Sequence, residues 1–388
     1  ALSSAASDVY KRQLQWGMGP NLGGVDCLMM DIYRHIDRSK VQFDFLCDHD
    51  ADKLAFEDEI LALGGRVFRV MVSQHESMMK SRTALMSFFR DHPEIQGIHV
   101  NANFPYALPL KYAAENGVQL RILHSHNAGT AASHDHDDLA HTLIWCLREW
   151  QTRHQISRYP NLYCACSKAA AEYMFPGKPF TWVRNGINTV HFAYDEVVRS
   201  ATRAELHIAP STSVIGFCGR FRTQKNPLFL LDVFAEYHRM VPDSLLMLVG
   251  IGELRSLMDE RIEQLGIKDS VLYMGSQRDV SPYYQAMDAF LLPSLYEGLG
   301  IVYVEAQCAG LPCFASADAV PPEAKVTDLL HYVSLKESAE QWAHEMRDAL
   351  EKTGERRNHA DDVRAAGYDI RDVAARLQDL YLNRAGRA

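Results

Sequence analysis

Short, almost wholly apolar runs alternate along this chain with longer stretches whose apolar residues recur every three or four positions, and no other feature limits the fold so strongly. In the first half the runs are VQFDFLC (41–47), RVFRVM (66–71), GIHVN (97–101), LRILHSH (120–126), LYCACS (162–167) and FTWVRNG (180–186). Between them lie helical patterns such as 53–64 and 107–117, each closed by a glycine. The second half repeats the rhythm with SVIGFCG (213–219), LLMLVG (245–250), VLYMG (271–275), AFLLPS (289–294) and PCFAS (312–316). A strand apolar on both sides must be covered on both sides. Strands alternating with helices therefore predict α/β architecture, with parallel sheets sandwiched between helices.

Two such series in 388 residues predict two doubly wound, Rossmann-like domains, since one core seldom grows to that size. The boundaries read as 14–188 for the first domain, 189–212 for a strandless linker and 213–366 for the second. Residues 367–388 form an amphipathic terminal helix, with Ile370, Val373, Leu377 and Leu380 on one face. The opening ALSSAASDVYKRQ (1–13) has no apolar core of a signal peptide and is unlike the remainder. It resembles translated adapter sequence, so it is set apart as a non-native remnant, with the expectation that a native first strand has been lost. A net charge of −9 without any Lys/Arg-rich block argues against a nucleic-acid partner. No apolar run approaches the roughly 20 residues that span a bilayer. The eight cysteines are scattered, as expected of reduced, buried thiols in a cytoplasmic protein.

In facing doubly wound domains, ligands sit in a cleft at the carboxyl ends of the strands, so chemistry is sought there. After 213–219 come Arg220 and Lys225, ahead of a helix starting near Pro227. Cations beside a helix start suit a diphosphate, although such residues are also common in solvated loops. Gly250 and Gly252 follow the next run. They would let the backbone approach a ligand or simply form a tight turn, and the full dinucleotide-binding glycine pattern is absent. NLGGVD (21–26) offers Gly24 at another helix start. His126 closes its strand, placed to donate to a substrate hydroxyl or leaving phosphate, or equally to serve structure.

Two further patterns suggest metal and fall short of it. Residues 133–141 hold His134, Asp135, His136, Asp137 and His141 at spacings poor for zinc. The D-x-D matches at Asp48–Asp50 and Asp135–Asp137 are short enough to arise by chance. Finally, LPSLYEGLGIVYVEAQCAGLP places Glu297 in a turn and Glu305 in the following helix, with Gly298, Leu299 and Gly300 at the helix start. Two acids so placed can accept from two separate groups of hydroxyls, while the first helix amides attract an anion.

Through GRFRTQKNP, VGIGELR, PSLYEGLGIVYVEAQCAGLP and HSHN the chain resembles family 4 glycosyltransferases of the GT-B fold. Through residues 43–70, SKAAAEYMF, VRNGINT and residues 316–335 it is most similar to their EpsF-like exopolysaccharide and capsular polysaccharide members. The resemblance implies a transferase that retains anomeric configuration and needs no metal, with a nucleotide-diphosphate sugar as co-substrate. Arg220 and Lys225 would neutralise the leaving diphosphate, and Glu297 and Glu305 would accept from sugar and ribose hydroxyls. The amides of residues 298–300 and Gly24 would lie against phosphate and sugar, and His126 near the reacting carbon. Asp26 stands where the family often has Glu. The acceptor would be a saccharide or lipid-linked saccharide met by peripheral contact with the inner membrane face, and the terminal helix would cross back to the first domain. Rival readings are a nucleotide-sugar 2-epimerase on the same fold and a nucleotide-sugar-binding protein without turnover.

Overall fold

The computed structural model describes residues 11–20, 23–47, 53–70, 78–129 and 139–384. The chain divides into two compact units: residues up to Gly186 together with those from Ile370 onward, and Ile187–Asp369 between them. Each unit contains one wholly parallel sheet covered by helices.

The first sheet has seven strands: β1 (Lys11–Trp16), β2 (Val41–Cys47), β3 (Val67–Arg69), β4 (Ile95–Ala102), β5 (Leu120–Ser125), β6 (Leu162–Ala165) and β7 (Thr181–Trp182). Their spatial order is β3-β2-β1-β4-β5-β6-β7. The order reverses between β1 and β4, where doubly wound sheets open toward ligands. The second sheet has six: β8 (Ser213–Cys218), β9 (Ser244–Val249), β10 (Val271–Gly275), β11 (Ala289–Leu292), β12 (Cys313–Ser316) and β13 (Leu330–Val333). Their order is β10-β9-β8-β11-β12-β13, reversing between β8 and β11.

Two strands correct the sequence reading. Residues 11–13, set apart as foreign, belong to β1, a central strand paired with both β2 and β4. A strand thus stands where the native one was expected to have been lost. Its polar residues disguise it, since Gln13 and Gln15 are both buried. The Gln15 amide is bonded, whereas neither polar atom of the Gln13 amide has a hydrogen-bond partner. The other strand is β13, whose alternation is broken by half-buried His331 and Tyr332.

Residues 189–212, read as a linker, are an integral part of the second unit. Asp195 caps the helix Glu196–Glu205 by accepting from Val197 and Val198 amides. That helix carries Arg199 and Arg203, whose guanidinium groups donate to the carbonyls of Ala286 and, from Arg199, of Gln285 and Met287. Arg356 donates to the carbonyls of Tyr284, Gln285 and Met287 as well. Three cations thus sit on the carbonyl end of the helix Ser281–Ala286, where the peptide dipoles leave partial negative charge. Burial and the like charge of Arg199 lower the Arg356 pKa to about 9.

The terminal helix Ile370–Arg384 packs in the first unit. Ile370, Val373, Ala374, Leu377 and Tyr381 enter the same core as Met29, Tyr33 and Phe43, with Leu380 packed at its margin. No helix among the described residues is long and apolar enough to cross a membrane.

Candidate functional site

In the second unit the loops after β8, β9 and β11 interlock, and backbone geometry accounts for the glycines. Gly250 has φ 141°. A Cβ there would collide with the Gly219 carbonyl oxygen, and one on Gly252 with the Phe221 backbone. The close approach is stitched by Gly219 N–H to Val249 O at 2.9 Å, Phe221 N–H to Ile251 O at 2.9 Å and Leu254 N–H to Phe221 O at 3.1 Å. Gly250 and Gly252, candidates for touching a ligand, here meet protein backbone, and their contacts fix the loop that carries Arg220.

Beyond Arg220 the chain makes a 3-10 turn, Thr223–Lys225, and a left-handed residue, Asn226 at φ 50°, before Pro227 opens the helix Pro227–Met240. Asparagine tolerates that conformation and proline presets the first helical residue. The turn is joined to the loop after β11. Leu295 N–H donates to Gln224 O at 2.8 Å, and Gln224 Nε2 donates to Tyr296 O at 3.0 Å. Sequence reasoning gave Gln224 no role, although it lies inside a motif already singled out.

These connections bring Lys225 to Glu297. Lys225 Nζ donates to Glu297 Oε1 at 2.5 Å, and Ser294 Oγ donates to the same oxygen at 2.7 Å. Glu297 is 5% exposed and Ser294 fully buried, so the pair lies in a site where charge is weakly screened. Both bonds fall on one oxygen. Glu297 is thereby held as a positioned hydrogen-bond acceptor.

The helix Ile301–Cys308 starts just after Gly300, whose φ of 76° suits glycine. A Cβ on Gly300 would also press into the Tyr303 ring. Tyr303 in turn donates to Leu292 O at 2.5 Å, tying the helix start to the end of β11. Gly298 and Leu299 are buried beneath this turn. Glu305, one turn into the helix, accepts at Oε2 from the Tyr284 hydroxyl at 2.9 Å. Burial pushes the Tyr284 phenol well above its usual range, so it acts as a donor. Tyr284 is a positioning residue missed in the sequence. The only hint was its place in a short helix preceding β11.

Of the proposed residues, the second unit thus gathers Arg220, Lys225, Glu297, Glu305 and residues 298–300 on the loops of β8 and β11, at its topological switch point. In the first unit Gly24 opens the helix Gly24–His35 and is exposed, while Asp26 is buried and accepts from Gly19 N–H at 2.9 Å. His126 follows β5 directly and is 7% exposed. Its Nε2 lies 2.9 Å from Asn101 Oδ1. Burial lowers its pKa to about 4, so the ring is neutral at physiological pH. Asp48, Asp50 and residues 134–137 lie outside the described residues, as does the side chain of His141.

Comparison with known proteins bears on both units. Residues 198–366 match the family model described as "Glycosyl transferases group 1". Over 377 residues the chain is 29% identical to the putative glycosyltransferase EpsF of Bacillus subtilis, covering 96% of each chain. Over 138 residues it is 32% identical to an Escherichia coli UDP-Gal:alpha-D-GlcNAc-diphosphoundecaprenol alpha-1,3-galactosyltransferase, covering 34% of this chain and 35% of that one. Among solved structures, Anabaena Alr3699/HepE in complex with UDP and glucose superposes with a TM-score of 0.73 at 18% identity. That match covers 96% of this chain and 100% of the other. Sucrose-phosphate synthase from Thermosynechococcus elongatus gives 0.74 at 16% identity, covering 97% and 100%. At these identities the structural likeness speaks to fold, and the fold is GT-B.

Proposed function

From the premise that residues 198–366 form a group 1 glycosyltransferase domain, we propose that the protein moves a sugar, with retention of configuration, from a nucleotide-diphosphate sugar to a saccharide acceptor in exopolysaccharide or capsule synthesis. The observation that carries this reading is the Lys225–Glu297–Ser294 cluster beside the start of the helix Ile301–Cys308. Breaking a sugar–phosphate bond places positive charge on the sugar carbon and negative charge on the departing diphosphate. Lys225 and Arg220 stand on one loop to meet the second charge, and the first amides of the helix add partial positive charge. Glu297 Oε2 is left to accept from sugar hydroxyls, and Glu305, oriented by Tyr284, from the ribose. The cations and helix amides supply what a divalent ion would otherwise provide, so the reaction is proposed to need no metal.

A lipid-linked acceptor is proposed by analogy with the diphosphoundecaprenol named for the Escherichia coli relative. It would be met by peripheral contact at the inner membrane face. The helix Leu139–Arg158 exposes Leu147 and Trp150, an apolar pair consistent with such a contact.

The test is a thermal-shift panel of UDP-, GDP- and ADP-sugars, followed by turnover of the stabilising donor with saccharide acceptors. Transfer with retained anomeric configuration, unaffected by a chelator, is the expected result. Formation of epimerised sugar alone would replace the transferase with an epimerase. Binding without turnover, unchanged in Glu297→Gln, would make the protein a sugar-nucleotide binder.

A further inference from the structure

Behind His126 the first unit contains a buried polar chain that no step above uses. His99 Nδ1 lies 2.6 Å from the Tyr381 hydroxyl and His99 Nε2 lies 3.1 Å from His124 Nδ1. The His124 and His126 rings lie tilted by 40° with centroids 3.9 Å apart. Gln15 Nε2 donates to the Tyr381 hydroxyl at 3.3 Å. Asn101 Nδ2 donates to Trp16 O at 3.3 Å and faces Gln15 Oε1 at 3.5 Å. All these residues are buried.

One atom decides the protons of this chain. Trp16 O is a main-chain carbonyl, which can only accept. Asn101 must therefore turn Nδ2 toward it and Oδ1 toward His126, because the flipped amide would set two acceptors against each other. Oδ1 also only accepts, so His126 Nε2 carries the hydrogen and Nδ1 carries the lone pair. The approach that makes this possible depends on Gly17, at φ 114°, where a Cβ would collide with the Asn101 carbonyl oxygen. The same logic extends to Gln15. Asn101 leaves Gln15 Nε2 to donate to Tyr381, whose hydroxyl faces His99 Nδ1, and His99 Nε2 faces His124 Nδ1.

We propose that Asn101 is a positioning residue that fixes His126 as the neutral Nε2–H tautomer, which leaves its Nδ1, buried and without a partner, as a hydrogen-bond acceptor. This rests on the proposed function and differs from the sequence reading, in which His126 donates to the substrate or serves structure. Asn101 acts from the end of β4, the strand at the topological switch, and its orientation is set by β1 next to it. The titratable groups packed against His126 are His124 and, behind it, His99, and Asn185 is its other polar neighbour. Protonation of His126 is opposed first by burial.

The experiment is long-range 1H–15N correlation on full-length protein with 15N-labelled histidine, the His126 signals being assigned by their loss in His126→Gln. The expected wild-type spectrum at pH 7 has a protonated Nε2 and a bare Nδ1. Asn101→Leu is expected to mix the tautomers, and the near-isosteric Asn101→Asp to draw a second proton onto the ring. With UDP-glucose, UDP-galactose and GDP-mannose as donors, kcat in Asn101→Leu should fall about 10- to 100-fold with KM little changed. A wild-type ring protonated at Nδ1, or a tautomer unchanged in Asn101→Leu, overturns the proposal, and the wild-type spectrum suffices if that variant does not fold. Absence of turnover in the wild type with every donor overturns the transferase instead, and the spectrum still decides the tautomer.

Discussion

The two sheets share a strand order around their switch points, yet the walls of those points are chemically different. In the second unit the loops after β8 and β11 meet through an ion pair, Lys225 with Glu297, beside a helix start. In the first unit the ends of β1, β4 and β5 meet through a carbonyl, an amide and a neutral imidazole. The first meeting carries charge, and the second orients polar groups without it. The same topology serves both because strand order fixes only where side chains converge. Residue choice fixes what they do there.

The sharpest way to break this contrast is to remove charge from the charged side. Glu297→Gln keeps the shape but loses the ionic partner of Lys225, and transfer should fall about 100- to 1000-fold in kcat/KM with circular dichroism unchanged. Activity within fivefold of wild type would show that the ion pair serves stability alone. A double-mutant cycle with Lys225→Met should then show strong non-additivity, since each change removes the same pair.

Acid should break the neutral side next. The pKa values of His126 and His99 are lowered by burial to about 4 and about 3. An unfolded histidine titrates near 6.5, so below that pH the unfolded chain binds protons that the folded first unit refuses. Its stability is then full above pH 6.5 and falls as pH drops toward 4. The expected slope is about 1.4 kcal/mol per pH unit for each histidine. Urea midpoints that stay level between pH 6.5 and 4.5 would contradict the neutral assignment.

Smaller changes sharpen the picture. Tyr284→Phe removes one hydroxyl donor from Glu305 and should weaken nucleotide binding by about 1 kcal/mol in calorimetry, leaving the fold intact. Least of all, Gln13→Leu replaces a buried amide without partners by an apolar side chain of similar size. It should stabilise the first unit by about 1 kcal/mol in urea unfolding. Destabilisation would mean that Gly97, which faces this side chain, leaves no room for a branched one.

Much of the architecture was legible because periodicity is local. VQFDFLC is a strand over the residues its pattern marks, and the helix Pro227–Met240 begins at its proline. The strand KRQLQW was missed because residues 1–13 were set apart as foreign and its glutamines break that pattern. Gln15 is tolerated inside only because Tyr381, 366 residues away, accepts from it. Among the site residues, Glu297 and Lys225 could be picked out from their place after strands, but their pairing could not, since 72 residues separate them. Tyr284 had only its place in a short helix before β11, and Asn101 had no signal in the sequence at all.

The sequence by itself determined the elements and the residue types carried on the loops that follow the strands, because hydrophobic period and turn chemistry act over a few positions. Only the tertiary structure decided that Gly250 meets backbone, that Glu297 is an acceptor held by Lys225, and that His126 Nε2 meets the Asn101 side chain. Each of these is settled by an atom far along the chain, brought within hydrogen-bond or van der Waals distance by strand order.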